Sequence, residues 1–443
     1  MANTYLTWTP SSSGTRAKWT FSAWVKKGET TGNGTLFFAG GSNSDYSKIL
    51  LQSSGELFIS EVGGGSTVWE VQTNRLFRDP LAFYHIVIAY DSAQSTASNR
   101  VKIYINGVQE TSFSATSYPA QNRGAMWLAS GTEHRIGRDY ISQYFGGVMS
   151  HIHFSDGYAL APTVFGSTDS VTGEWSIETS PSFTLGTYGF TILKDGSTIT
   201  DQSSNSNDWS LGGGTLTKTL DCADNVMATL NPLSGSLTNN TLSQGNNTIA
   251  VTSGWRWRPS TIAPSSGKYY AEFKPTSSAP IYTAIGVTPQ VSWRLIDEET
   301  IGSGAGGENK SVGYTHSGTV RKGNSTIYTG SSYTTNDIIG VAMDLDNYYV
   351  YFSKNGVWQN SGDPTSGATG TGAVSLATTL DDWSISTSQA GTTIACNYGN
   401  GYFGTTAITT NSGNGYAGAE GASKFSYQPP TGYSALNTKG LNQ

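Results

Sequence analysis

The chain has only two cysteines, Cys222 and Cys396, and they lie far apart in its 443 residues. A disulfide framework needs more, so both are expected to be small apolar residues in a core. Charge is scarce at 13 %, the formal net charge is −6, and no Lys/Arg-rich run occurs. Proteins that hold nucleic acid displace phosphate counterions with basic patches, so no nucleic-acid partner is expected. No apolar run approaches the roughly 20 residues that span a bilayer, and membrane insertion is not expected either. Met1-Ala2-Asn3-Thr4-Tyr5 opens without a charged and apolar leader, which gives the expectation of assembly in a cytoplasm without secretion. Helical periodicity is missing too. No long stretch carries apolar residues at i, i+3, i+4 and i+7.

What is abundant is glycine (54 residues), with Thr, Ser, Asn and Tyr, and 12 % aromatics. Gly and Asn supply the positive φ of tight hairpins, and the aromatics supply core mass, so the pattern predicts short strands joined by many turns. Alternation supports this. Trp19, Phe21, Ala23 and Val25 fall on one face of a strand, and Phe83–Tyr90 reads as a buried one. Two hairpins carry the strongest short-range signal. Val101–Ile105 runs into Asn106-Gly107, and Tyr348–Phe352 runs through Ser353-Lys354 into Asn355-Gly356. Each follows an aspartate-bearing segment, Ala89-Tyr90-Asp91 or Val341-Ala342-Met343-Asp344. The same local grammar twice, about one domain length apart, predicts two sandwiches of related architecture. Residues 166–245 change texture to Ser, Thr, Asn and Gly and read as a loop-rich connector. Residues 404–443 read as a C-terminal tail whose Pro429-Pro430 and aromatics imply docking on something.

Trp19–Lys27, the Asn99–Gly107 hairpin, Ile136-Gly137-Arg138 and Gly146–Gly157 resemble laminin-G/concanavalin-A-like modules of phage virion proteins. Gly267–Phe273, Ile285-Gly286-Val287, the Asn355-Gly356 hairpin and Asn397–Asn400 are similar to SPRY-type sandwiches, and Pro429–Thr438 resembles a C-terminal segment of phage tail-associated proteins. The resemblance implies an all-β chain of two concanavalin-A-like/jelly-roll β-sandwiches, at 1–165 and 246–403, joined by the connector and closed by the tail. It implies a bacteriophage virion structural protein, a tail-fibre or capsid-fibre subunit assembled in the host cytoplasm. Its partners would be other virion proteins and host cell-surface polysaccharide, in a homo-oligomer such as a trimer. The alternatives are a capsid decoration or adaptor and, further off, a polysaccharide depolymerase.

Concanavalin-like folds also house glucanases, so catalysis has to be weighed. Two carboxylates about 5–9.5 Å apart are required, on the glucanases of this fold as Glu-x-Asp-x-x-Glu along one strand. That motif is missing, and no catalytic residue is assigned. The nearest acids are Glu174 with Glu178 in the connector and Asp297-Glu298-Glu299 in a loop. His151 and His153 share a strand face without an adjacent third ligand, and are expected on the exposed face of their sheet. The resemblance admits calcium held by Asp91, Asp139 and Asp156 at strand ends, where turn capping is the competing role. Gly302–Gly307 matches Gly-x-Gly-x-x-Gly but lacks the tight strand and helix of a dinucleotide site. No other cofactor is expected. Sugars stack on exposed rings beside polar neighbours, which makes Trp293, Arg294, Asp297, Tyr314 and His316 the candidate ligand-binding set. Trp255 and Trp257 alternate with Arg256 and Arg258 and are assigned to core, as Trp24 and Trp358 are to packing.

Overall fold

The computed structural model describes residues 3–28, 32–234, 238–277, 282–289, 301, 310–379, 382–409 and 415–441. The chain divides into two compact units, Met1–Lys218 with Cys222–Asp224, and Asn225–Gln443 with Thr219–Asp221. Both are almost entirely β. Among the described residues, helix is limited to single 3-10 turns and the short Thr438–Leu441.

In the first unit an eight-stranded sheet runs in the order Phe113–Ser117, Ser66–Leu76, Glu56–Gly63, Tyr46–Leu51, Gly34–Gly40, His134–Ile136, Tyr5–Trp8, Ser210–Gly213. A six-stranded sheet has the order Phe190–Ile192, Gly147–Asp156, Lys18–Lys27, Tyr84–Asp91, Val101–Ile105, Val108–Gln109. Trp19, Phe21, Ala23 and Val25 share one core with Ile86, Ile88 and Tyr90 and with Phe37, Ile49, Ile59 and Trp69 of the other sheet. The alternation read from sequence is the alternation of core-facing residues, while Thr20, Ser22 and Trp24 between them are buried on the other face.

The second unit repeats the plan. Its larger sheet follows Asn240–Ser243, Thr248–Val251, Thr393–Asn397, Lys268–Pro275, Ile339–Asp344, Tyr349–Lys354, Val357–Trp358. Its smaller sheet follows Arg256–Pro259, Trp383–Gln389, Thr283–Pro289, Val312–Thr315, Thr319–Lys322, Ser325–Thr329. Cys396 is buried in this core, as expected, whereas Cys222 is only half-buried and joins no core cluster among the described residues; neither forms a disulfide.

The shared grammar is physical. Lys18 faces Asp91 across a strand pair with Nζ 3.1 Å from Oδ2, and Lys268 faces Asp344 the same way at 3.3 Å. Asn106-Gly107 and Asn355-Gly356 take φ of 48° and 78°, and of 48° and 80°, the left-handed pair that a two-residue hairpin needs. The Asn106 side chain accepts the His85 N–H, and the Asn355 side chain accepts the Ile338 N–H, each at 2.8 Å.

The same sheet in each unit has an aromatic outer face, and chain from outside the sandwich pattern covers it. In the first unit the cover is residues 158–183. Thr20 Oγ1 donates to the Tyr158 carbonyl and accepts the Leu160 N–H, both at 2.8 Å. Trp175 packs so closely on the hairpin that a Cβ on Gly107 would come within 2.4 Å of its ring. In the second unit the cover is the tail. Phe425, Tyr433 and Ala435 bury against Tyr270, Ala342 and Tyr351, and Ser434–Ala435 pairs in parallel with Tyr269 and Tyr270. Here Tyr427 lies on the hairpin, 2.5 Å from where a Gly356 Cβ would stand. The partner of the docking tail is thus this chain's own second sandwich.

The stretch read as a connector, 166–245, is divided between the units. Phe190–Ile192 and Ser210–Gly213 extend the two sheets of the first, and Trp209 joins its core. Ala228 and Leu230 join the core of the second. Scattered aromatics in polar sequence find sheet edges to fill, which local composition does not reveal.

Glu272 fastens the tail. It is fully buried, and its carboxylate accepts the backbone N–H groups of Ser426 and Tyr427, each at 2.8 Å. The Asn397 amide and the Tyr270 hydroxyl add donors at 3.3 Å. Burial pushes its pKa up to about 7, although those N–H donors pull the other way. Glu272→Ala leaves two buried N–H groups without an acceptor, at about 1–3 kcal/mol each. The second sandwich is expected to lose about 3 kcal/mol in urea unfolding, with residues 415–441 becoming the first site of limited proteolysis. Glu272→Gln keeps one acceptor oxygen and should lose less.

Candidate functional site

Along the smaller sheet of the second unit, Ile285, Val287, Val312, Tyr314, Val320 and Ile385 point into the core. Their neighbours Ala284, Gly313, Thr315, Thr319 and Arg321 therefore face outward. Part of that outer face is covered, since Trp257, Ala284 and Ile301 form a small buried cluster. Beyond it lies an open groove of about 340 Å³, lined by Trp255, Thr283, Thr315, His316, Ser317, Thr319, Arg321 and Thr326.

The rings of Trp255 and His316 line one side, and Tyr282 stands against both. Tyr282, 53 % exposed, meets Trp255 edge-on at 6.1 Å between centroids and His316 edge-on at 6.5 Å. Arg256 fixes the backbone under the indole, donating to the Trp255 carbonyl at 2.7 Å and the Thr238 carbonyl at 2.8 Å. The His316 N–H donates to the Thr283 carbonyl at 3.0 Å, which continues the ladder past the strand end. Burial lowers the His316 pKa, so the ring is neutral at pH 7. Hydroxyls line the floor. Thr315 Oγ1 donates to the Thr319 carbonyl at 2.9 Å and lies 3.0 Å from Ser317 Oγ. The Arg321 guanidinium donates to the Asn324 carbonyl at 3.1 Å. Among the described residues no carboxylate lines the groove. Such a surface offers ring faces to C–H groups and donors to hydroxyls, in an open cleft.

Of the residues proposed from sequence, His316 lies in this groove. Tyr314 does not. It is fully buried, its hydroxyl donates to the Ser331 carbonyl, and its ring packs edge-on to Tyr333 at 5.2 Å. The reason is register: Tyr314 and His316 share a parity, but His316 stands past the end of Val312–Thr315, where the face rule lapses. Trp293, Arg294 and Asp297 lie outside the described residues, as do Glu298, Glu299 and Gly302–Gly307. Trp257 is core as assigned, with Nε1 donating to Thr288 Oγ1 at 3.3 Å. Trp255, assigned to core with it, is half-buried at the groove. Its signal was Ser253-Gly254 just before it, a turn with Gly254 at φ 67°, which places Trp255 at the mouth of the strand. Tyr282 and Arg321 were not singled out.

Glu174 and Glu178 are both exposed and flank the short strand Trp175–Ile177. Four residues of extended chain separate them by about 13 Å, beyond the spacing of either glycosidase mechanism. The carboxyl group that burial raises, Glu272, is sealed under the tail. The three aspartates expected at strand ends cap backbone. Asp139 Oδ1 accepts the Ile141 and Gln143 N–H groups at 3.0 and 2.9 Å. Asp156 accepts those of Thr15 and Tyr188 at 2.7 and 3.1 Å, and Asp91 pairs with Lys18. No three His, Cys, Asp or Glu side chains cluster as a metal site among the described residues.

His151 and His153 do occupy the outer face of their sheet, but that face is covered, and both are buried rather than exposed. A bulge between Ser150 and His153, with His151 at φ 47°, brings the two rings to 6.4 Å. His85 and His134 are buried too, each with one ring nitrogen held by an N–H donor. Trp175 Nε1–H donates to His85 Nδ1 at 2.9 Å, so Nε2 carries the proton toward Ser22 Oγ, also at 2.9 Å. The Leu128 N–H donates to His134 Nε2 at 2.9 Å, and Nδ1–H donates to the Thr132 carbonyl. Neither ring can take a second proton without losing a bond. Burial accordingly pushes His85 down to about 3 and His134 to about 4.

Residues 1–164 match the model of the concanavalin A-like lectin/glucanases superfamily, laminin-G type. Among solved structures, the SPRY domain of human HERC1 is 15 % identical over 38 % of this chain and 96 % of that one, with a TM-score of 0.30. A second human SPRY domain is 15 % identical over 36 % and 94 %, with a TM-score of 0.27. A heptameric pentraxin of Limulus polyphemus is 17 % identical over 36 % and 72 %, also at 0.27. No curated protein matches the chain.

The histidines set an acid limit. Their folded pKa values lie below the ordinary 6.5, so the stability they permit is complete above 6.5 and drains as pH falls toward 4 and 3. Between pH 7.5 and 5 each is expected to cost up to about 2 kcal/mol. Urea midpoints of the first sandwich, followed by near-ultraviolet dichroism, should fall over that interval. A flat profile would contradict the buried neutral rings.

Proposed function

We infer that the chain is a non-catalytic, carbohydrate-binding structural subunit, a bacteriophage tail-fibre or capsid-fibre protein that attaches to host-surface polysaccharide. The observation that carries the binding reading is the open groove where Trp255, Tyr282 and His316 stand beside a floor of hydroxyls and the Arg321 guanidinium, with no carboxylate in its lining among the described residues. A polar, open cleft of this size holds one or two sugar units weakly, and copies of the subunit on one particle convert weak contacts into firm attachment. The virion role rests on the sequence resemblance. The lectin-type match of residues 1–164 is compatible with it.

Glycan-array and host-cell binding by the purified protein test the reading. Binding is expected, and Trp255→Ala and Arg321→Ala should each weaken it about tenfold, the loss of roughly 1–2 kcal/mol that one ring stack or charged hydrogen bond supplies. Thermal midpoints should stay within a degree or two. Absence of binding, with retained incorporation into particles, would favour a decoration or adaptor role. New reducing ends from host polysaccharide would make the chain a depolymerase.

A further inference from the structure

The cover of the first sandwich leaves a recess of about 290 Å³ over His153. The His153 ring stacks on Phe165 at 5.5 Å and meets the edge of Phe183 at 5.7 Å. It is 2 % exposed, and Nδ1 lies 3.0 Å from Thr191 Oγ1. Its other nitrogen, Nε2, has no hydrogen-bond partner among the described residues, and the ring lines the recess. Burial inside an aromatic box keeps this imidazole neutral far below pH 6.5. Lys194 stands at the wall with Nζ 3.3 Å from Ser180 Oγ, and it makes no ion pair among the described residues. Gln202 spends its carbonyl oxygen on the Lys194 N–H at 3.0 Å, which leaves its NH₂ to the recess. Among the described residues no carboxylate lines it.

The recess is therefore rich in donors, has one cation that makes no ion pair among the described residues, and has one ring face, Phe183. We propose that it binds a carboxylate-bearing sugar, one uronic acid residue of an acidic glycan. Lys194 meets the carboxylate, His153 donates Nε2–H to a ligand oxygen while the Thr191 hydroxyl donates to Nδ1, and the sugar's C–H face packs on Phe183. A single ammonium without an arginine fork or a nest of backbone N–H groups suits a monoanion better than a phosphate. The volume lies at the lower end of small-ligand sites, the scale of one ring. This site is on a different unit from the groove and does not depend on it.

The test uses the full-length Trp255→Ala protein, so that the groove contributes nothing, with ¹⁵N-labelled histidine. Methyl glucuronide is titrated beside methyl glucoside and inorganic phosphate. A saturable shift of one buried imidazole to the Nε2–H tautomer is expected with the glucuronide, at least tenfold weaker with the other two. Lys194→Met, at a half-exposed position, should weaken glucuronide binding about tenfold with an unchanged thermal midpoint. No saturable shift, equal response to the glucoside or to phosphate, or full affinity in Lys194→Met would each overturn the proposal.

Discussion

A β-sheet has two faces, and in each unit one sheet has an aromatic outer face as well as a core face. That face cannot be left in water without exposing a large apolar patch. Both units solve the problem in the same way, with a segment from beyond the sandwich strands laid across it. The catch points correspond. Two and four residues after the lysine that faces an aspartate stand Thr20 and Ser22 in the first unit and Tyr270 and Glu272 in the second. Thr20 holds the backbone of the cover directly, and Ser22 holds it through His85 and Trp175. Tyr270 packs on Phe425, and Glu272 takes two backbone N–H groups of the tail. In both, an aromatic of the cover lies on the glycine of the hairpin, a place no side chain can share.

Covering a face moves polar groups out of water, and the titratable ones show the cost in opposite directions. In the first unit burial holds His85 and His134 neutral, and a neighbouring N–H occupies the nitrogen that acid would protonate. In the second unit a buried carboxyl is raised, and only its four donors keep it from rising further. Desolvation is the largest cause in both, and its sign follows from which form carries charge. Strongly shifted groups often mark active sites. Here two of them, His85 and Glu272, lie at the seams by which cover is fastened to sheet.

What remains open after both faces are covered is what can bind. The groove of the second unit lies where the outer face of its smaller sheet runs past the buried cluster of Trp257, Ala284 and Ile301. The recess of the first unit is a gap in the cover itself. Both are polar and carry one cation, and among the described residues neither is lined by a carboxylate.

The sequence by itself determined the β class, the two Asn-Gly hairpins, the inward row of Trp19, Phe21, Ala23 and Val25, and the recurrence of one strand grammar. Those features are local: a period of two residues and a pair of positive φ angles are written in neighbouring residues. His316 was legible because a ring in a polar loop is conspicuous. Tertiary structure alone decided that Tyr314 turns inward, that Trp255 and Tyr282 meet, that His151 and His153 lie under a cover, and that the Ser/Thr/Asn-rich stretch and the tail complete the two sandwiches. Each of these depends on which distant segment lands on a sheet's outer face, and alternation assigns a residue to a face without saying whether that face meets water.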